Sequence, residues 1–228
     1  MKLKKIASLM LAGVMAVSML AGCSGNTIDD TQKPEEPDVT PSTSADAEIL
    51  VAAMTKESQN RVTAVANEDL DDALQAAVDK YFDDAFATNA GSVFDIAMTG
   101  KNTRGDMRYT DLGKAVAVSM GHANDEIGEL KDQLTGEGKT AVAVETYAFN
   151  ASVSDDNILE QVGRKIDQSV RNLPSSSDVK VTDPYTHVTY DYDYEVSTSI
   201  VTATGKYMGI DLGVKFVSVA VVQTATEA

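Results

Sequence analysis

The chain has 228 residues, 43% of them hydrophobic, one cysteine and no tryptophan, and its 19 Lys and Arg face 35 Asp and Glu for a formal charge of −16. That charge repels nucleic acid and anionic lipid alike, which argues against a nucleic-acid module and against adhesion of the domain to anionic lipid through its charge. A single cysteine leaves no disulfide within the chain, so a hydrophobic core must carry the fold.

Met1-Lys2-Leu3-Lys4-Lys5 opens the chain with three positive charges and no acid. From Ile6 to Leu20 every residue is apolar or small, including Leu9, Met10, Leu11, Val14, Met15, Val17 and Met19. Fifteen residues of helix rise only about 22 Å, short of a bilayer core of roughly 30 Å. A charged start, a short apolar stretch and a small-residue cleavage site read as a secretory signal.

The stretch closes on Leu20-Ala21-Gly22-Cys23, and Cys23 is the one cysteine. These residues resemble the lipobox of bacterial lipoprotein signal peptides. The resemblance covers residues 1 to about 25 and leaves the rest of the chain unassigned. It implies that the Cys23 thiol receives a diacylglycerol, that cleavage follows Gly22, and that the protein is anchored to a bacterial cell membrane facing the extracytoplasmic side. Lipidation also accounts for a lone thiol in an exported chain. Removing residues 1–22 takes three lysines and no acid, leaving 16 basic against 35 acidic residues, a formal −19. Such a charge favours solubility and a cationic or envelope partner.

Residues 23–45 are rich in Ser, Thr, Pro and acids, with Pro34, Pro37 and Pro41 and almost no large apolar side chain. Such a segment buries too little to fold and is expected to be a disordered spacer. As a coil, residues 24–45 span roughly 26 Å, which lifts the acidic remainder off a negative surface. Residues 46–228 are then read as a single extracytoplasmic domain.

In that domain, Ile49, Leu50, Ala53 and Met54 fit a helical stripe, although Glu48–Met54 also suits a strand. Asn67–Ala87 predicts a helix, with Leu70, Leu74, Ala77, Val78, Tyr81, Phe82 and Ala85 on one face. Asn67 is its cap, and Glu68 and Asp69 complement its dipole. Phe94, Ile96 and Met98, then a Gly100–Gly105 turn, then Met107 and Tyr109 read as a hairpin. Leu112–Met120 fits either helix or strand. Asn124–Leu134 reads as a short helix with Ile127, Leu130 and Leu134 inward.

Lys139–Val153 is β-rich, with Tyr147 and Phe149 on one side. Ser154 is placed to cap a helix whose Ile158, Leu159, Val162, Ile166, Val170 and Leu173 face inward, ended by Pro174. Two long strands follow, with Gly205 between them. The first sets Val188, Tyr190, Tyr192, Tyr194 and Val196 against Thr189, Asp191, Asp193, Glu195 and Ser197. The second places Ile210, Leu212, Val214 and Phe216 on one face and continues through Val217–Val222. Helices segregated from hairpins give an α+β class: an antiparallel sheet with a long C-terminal hairpin, packed against two or more amphipathic helices. Gly113–Val118 and Gly138–Val144 echo each other weakly, as Ala/Val-rich runs do by coincidence.

Motifs for catalysis are absent or misplaced. Gly138-Lys139-Thr140 lacks the glycine five positions earlier, where Gln133 stands, and no helix follows to hold phosphate. Ser177 and Lys180 have Ser-x-x-Lys spacing, but Ser177 follows a helix instead of opening one. No Gly-x-Ser-x-Gly occurs. His122 and His187 are the only histidines, without zinc-ligand spacing. Secreted CAP-type domains use His, Glu, Glu and His in that order, and His122, Glu126 or Glu129, Glu145 and His187 resemble it in order alone, without the family's local motifs. No catalytic residue, metal site or cofactor is expected.

The one local constellation is Asp191, Asp193 and Glu195, which a strand places about 6.8 Å apart on one face, opposite the tyrosines. Calcium wants six to eight converging oxygens, and a straight row diverges. The row is therefore read as an acidic binding surface. The expected function is a non-catalytic surface or binding module on a lipid anchor; the alternative is a cell-envelope enzyme or degenerate CAP-type domain.

Overall fold

The computed structural model describes residues 38–40, 44–88, 105–106, 111–121, 126–133, 138–180, 187–207 and 209–228. Cys23, the leader, His122, Leu134 and nearly all of the hairpin expected over 94–109 lie outside them.

The described residues build the expected α+β architecture around one seven-stranded sheet. Its strands are β1 (Asp38–Thr40), β2 (Val62–Ala64), β3 (Gly105–Asp106), β4 (Thr140–Asn150), β5 (Ser176–Lys180), β6 (His187–Tyr207) and β7 (Ile210–Glu227). The helices are α1 (Ser44–Ala52), α2 (Lys56–Gln59), α3 (Glu68–Thr88), α4 (Asp111–Ser119) and α5 (Asp155–Arg171), with a 3-10 helix over Ile127–Asp132. The two stretches that suited either helix or strand, Glu48–Met54 and Leu112–Met120, are mainly helical.

β6 and β7 pair antiparallel over the whole length of β7, from Tyr190↔Glu227 to Tyr207↔Ile210, and β4 joins the far side of β7. The turn is not at Gly205, which lies inside β6 opposite Leu212. It is the two-residue connection after Tyr207, where Gly209 has φ +82°, a conformation that tight hairpins require and glycine adopts without steric cost. The other edge of β6 is covered in sequence by β5 at His187–Asp191, β2 at Tyr194–Val196 and β1 at Ile200–Thr202. Only β2 runs parallel, so the sheet is mixed. Three short strands thus cover an edge that would otherwise offer unpaired backbone to other chains. β1 falls inside the stretch read as spacer, so pairing begins ahead of residue 46.

Helices cover both faces. On one, α1, α5 and the 3-10 helix bury Leu50, Ile127, Leu130, Ile158, Leu159, Val162 and Ile166 against Tyr147, Phe149, Tyr192, Tyr194, Val217 and Val219. On the other, Leu70, Leu74, Val78 and Phe82 of α3 and Leu112 and Val116 of α4 pack on Val201, Val214 and Phe216. This explains why Val217–Val222 is apolar except for Ser218, whose buried hydroxyl pairs with Thr146: a strand covered on both faces has no reason to alternate. Phe82 meets Phe216 edge to face, with centroids 5.8 Å apart.

Local contacts fix the helices. The Asn67 side-chain oxygen accepts the Leu70 N–H at 3.1 Å, as a capping residue should. Ser154 holds the cap position of α5 in extended conformation, but its hydroxyl pairs with the Asn157 amide instead of a helix N–H. The start of α5 is held by Lys215, whose ammonium donates to the Val153 carbonyl at 2.9 Å and to Asp155 at 2.7 Å. α1 crosses α5 at Gly163, where an added Cβ would lie 2.1 Å from the Leu50 carbonyl oxygen.

Candidate functional site

Asp191, Asp193 and Glu195 alternate along β6 and all are exposed, while Tyr192 and Tyr194 between them are buried. The acids share the sheet face that carries α3 and α4, but they lie beyond the part those helices cover. The uncovered end extends across strands in register. Asp191 is opposite Ser176 on β5 and Thr226 on β7, Asp193 is opposite Thr224, Glu195 is opposite Thr63 on β2 and Val222, and Thr224 pairs onward to Thr140 of β4. Thr63, Thr140, Ser176 and Thr226 are exposed and Thr224 is half-buried. With strands about 4.8 Å apart, the result is a lattice of hydroxyls with a carboxylate row beside it.

Such a surface accepts hydrogen bonds and attracts cations, but it does not chelate. Among the described residues, no group of three or more His, Cys, Asp or Glu is arranged to hold a metal ion. The pleat that lines the carboxylates up also keeps them parallel.

The tyrosines serve the opposite face. The Tyr194 hydroxyl donates to the Pro174 carbonyl at 2.8 Å and accepts from the Gln223 amide at 2.9 Å; the Tyr192 hydroxyl pairs with Ser177. Burial pushes the Tyr194 phenol above its ordinary range, against the pull of the Gln223 hydrogen bond. These rings pin the connection from α5 to β5 onto the sheet, and only Tyr190 is half-buried. The exposed surface therefore consists of acids and hydroxyls, with Tyr192 and Tyr194 buried behind it.

Of the described residues that resembled a CAP-type set, Glu145 and His187 do not come together. Glu145 is buried on β4, where it accepts the Ile127 N–H at 3.0 Å and the Tyr147 hydroxyl. Glu145 is in register with Val219 and hence with Thr198, whereas His187 begins β6 eleven residues earlier, about 36 Å along the strand. Glu145 anchors the 3-10 helix; Glu126 and Glu129 flank and occupy that helix.

One feature carried no sequence signal. α3 and α4 leave an open groove of about 400 Å³ lined by Ala76, Ala77, Lys80, Tyr81, Lys114, Ala115 and Val118. Lys80 lies 4.7 Å from the Tyr81 ring centroid. Val118 is 70% exposed; the helical phase of α4 turns it outward.

No family model matches the chain, and neither a curated protein nor a solved structure matches it. Among the described residues no helix is long and apolar enough to cross a membrane.

Proposed function

We propose that this chain is a bacterial lipoprotein, anchored through a diacylglycerol on Cys23, whose extracytoplasmic domain is a non-catalytic binding module. The observation that carries the reading is Leu20-Ala21-Gly22-Cys23 at the end of a charged and then apolar leader. The domain's contribution is the uncovered end of the sheet, where Asp191, Asp193 and Glu195 stand among threonines with no described basic residue in the same rows. A cationic envelope component is the partner that surface favours. An envelope enzyme has less support, because its nearest candidate set keeps Glu145, in the middle of the sheet, about 36 Å from His187 at its end.

The test is metabolic labelling of the full chain with an alkyne fatty acid in a bacterial host, followed by fractionation. The wild type should label and partition with membranes; Cys23→Ala should do neither. Labelling of the Ala variant to the wild-type level would refute the anchor.

A further inference from the structure

The direction of β1 bears on which end of the domain faces the bilayer. β1 runs antiparallel to β6, with Asp38 opposite Thr202 and Thr40 opposite Ile200. β1 therefore begins on the side of the β6–β7 turn and runs away from it. Thr202 is five residues from Tyr207 at the tip, about 17 Å, and eleven from Asp191 in the other direction, about 37 Å. From Cys23 to Asp38 the chain is fifteen residues long, a reach of at most about 50 Å.

The tip nearest this junction is also where an apolar side chain is left in water. Ile210 is 50% exposed and, with Val118, is one of two large hydrophobic residues exposed among the described residues. Lys206 and Asp211 beside it are 79% and 66% exposed and only 3.9 Å apart at their closest charged atoms, a loose surface pair that leaves the lysine free to reach outward. The acidic row, which an anionic bilayer would repel, is at the other end.

We propose that the tip of the β6–β7 hairpin is the membrane-facing end of the domain and that Ile210 rests in the phospholipid interface, orienting the acidic face outward. The inference rests on the reading of Cys23 as the lipid anchor. One isoleucine is too small to bind a bilayer from solution. On a short tether the contact is intramolecular, at an effective concentration on the order of millimolar, so a weak contact suffices to set orientation.

The test uses the full, acylated protein in vesicles of phosphatidylethanolamine and phosphatidylglycerol. An environment-sensitive dye is attached to Ile210→Cys, to Lys206→Cys as a second tip position, and to Asp193→Cys at the far end; Cys23 is blocked by its lipid. Retained melting temperature certifies each fold. The tip dyes should shift to shorter wavelength and lose most of their emission to lipids carrying a headgroup quencher, while the dye at 193 does neither. Equal quenching at both ends, or stronger quenching at 193, would overturn the orientation. Mass spectrometry of the same samples separates the two readings: acylated Cys23 with tip dyes in water sinks the orientation alone, whereas unacylated Cys23 sinks the anchor and the orientation with it.

Discussion

Asp167 on α5 accepts two hydrogen bonds from Thr55, one from the backbone N–H and one from the hydroxyl, each at 2.8 Å. Ser58 adds a bond to the Asp167 carbonyl at 3.1 Å. One carboxylate thus fastens the turn between α1 and α2 to α5, although these segments are over a hundred residues apart in sequence.

Burial pushes the Asp167 carboxyl up, but hydrogen bonds from Ser58 and Thr55 and the Arg171 charge outweigh it and hold the group below the ordinary carboxylate value. A depressed folded value means that its stabilisation is full above the unfolded value of about 3.9 and is lost as pH falls through the folded one. The expected outcome for Asp167→Asn is lower stability at pH 7 and a difference from wild type that narrows below about pH 4. Urea denaturation at several pH values measures it; a difference constant down to pH 2.5 would contradict the assignment.

Gly163→Ala should destabilise although alanine is the better helix former by about 1 kcal/mol. The new methyl would lie 2.1 Å from the Leu50 carbonyl and 3.2 Å from the Ala53 Cβ, and the first neighbour is backbone. Overpacking of this kind typically costs about 1–3 kcal/mol. A lower urea midpoint at unchanged slope is expected, and a midpoint at or above wild type would mean that α1 and α5 separate without cost.

Tyr147→Phe removes one of the two donors to the buried Glu145 carboxylate. An unsatisfied buried acceptor costs about 1–3 kcal/mol, more when charged. Glu145→Gln in the same background should recover part of that loss, because a neutral amide is less expensive to desolvate. A double-mutant cycle reads the coupling; purely additive effects would show that the two side chains do not act together.

Replacing Asp191 and Asp193 by Asn and Glu195 by Gln should leave thermal stability within about 0.5 kcal/mol of wild type, since exposed positions on a solvated face contribute little. The same triple variant should lose capture of basic envelope components from bacterial extracts. Undiminished capture would move the binding surface elsewhere, with the α3–α4 groove the next place to mutate.

Elements whose side chains repeat with a clear period were legible. α5 and α3 appear where their apolar stripes placed them, and Tyr192 and Tyr194 point inward with Asp191, Asp193 and Glu195 outward, as strict alternation requires. Leu112–Met120 was not legible, because Val116, Val118 and Met120 suit a strand while Leu112, Ala115, Val116 and Ser119 suit a helix; packing against α3 selects the helix and leaves Val118 outside. Gly205 and Gly209 are chemically the same signal, and only the register Tyr207↔Ile210 determines which one turns the chain. β1 has three residues and no pattern of its own; it is a strand because β6 offers an open edge there.

Leu20-Ala21-Gly22-Cys23 and the charge balance can be read without a fold, since they depend on local chemistry and composition alone. The sequence by itself determined the anchor hypothesis, the acidic character, the α+β class and the alternation that sets carboxylates against tyrosines. The tertiary structure decided what those features mean together. It buried the tyrosines, left the carboxylates on the uncovered end of a half-covered face, separated Glu145 from His187, and joined the chain to the sheet near the Ile210 turn. These are relations between residues distant in sequence, and only long-range strand pairing brings them to one place or keeps them apart.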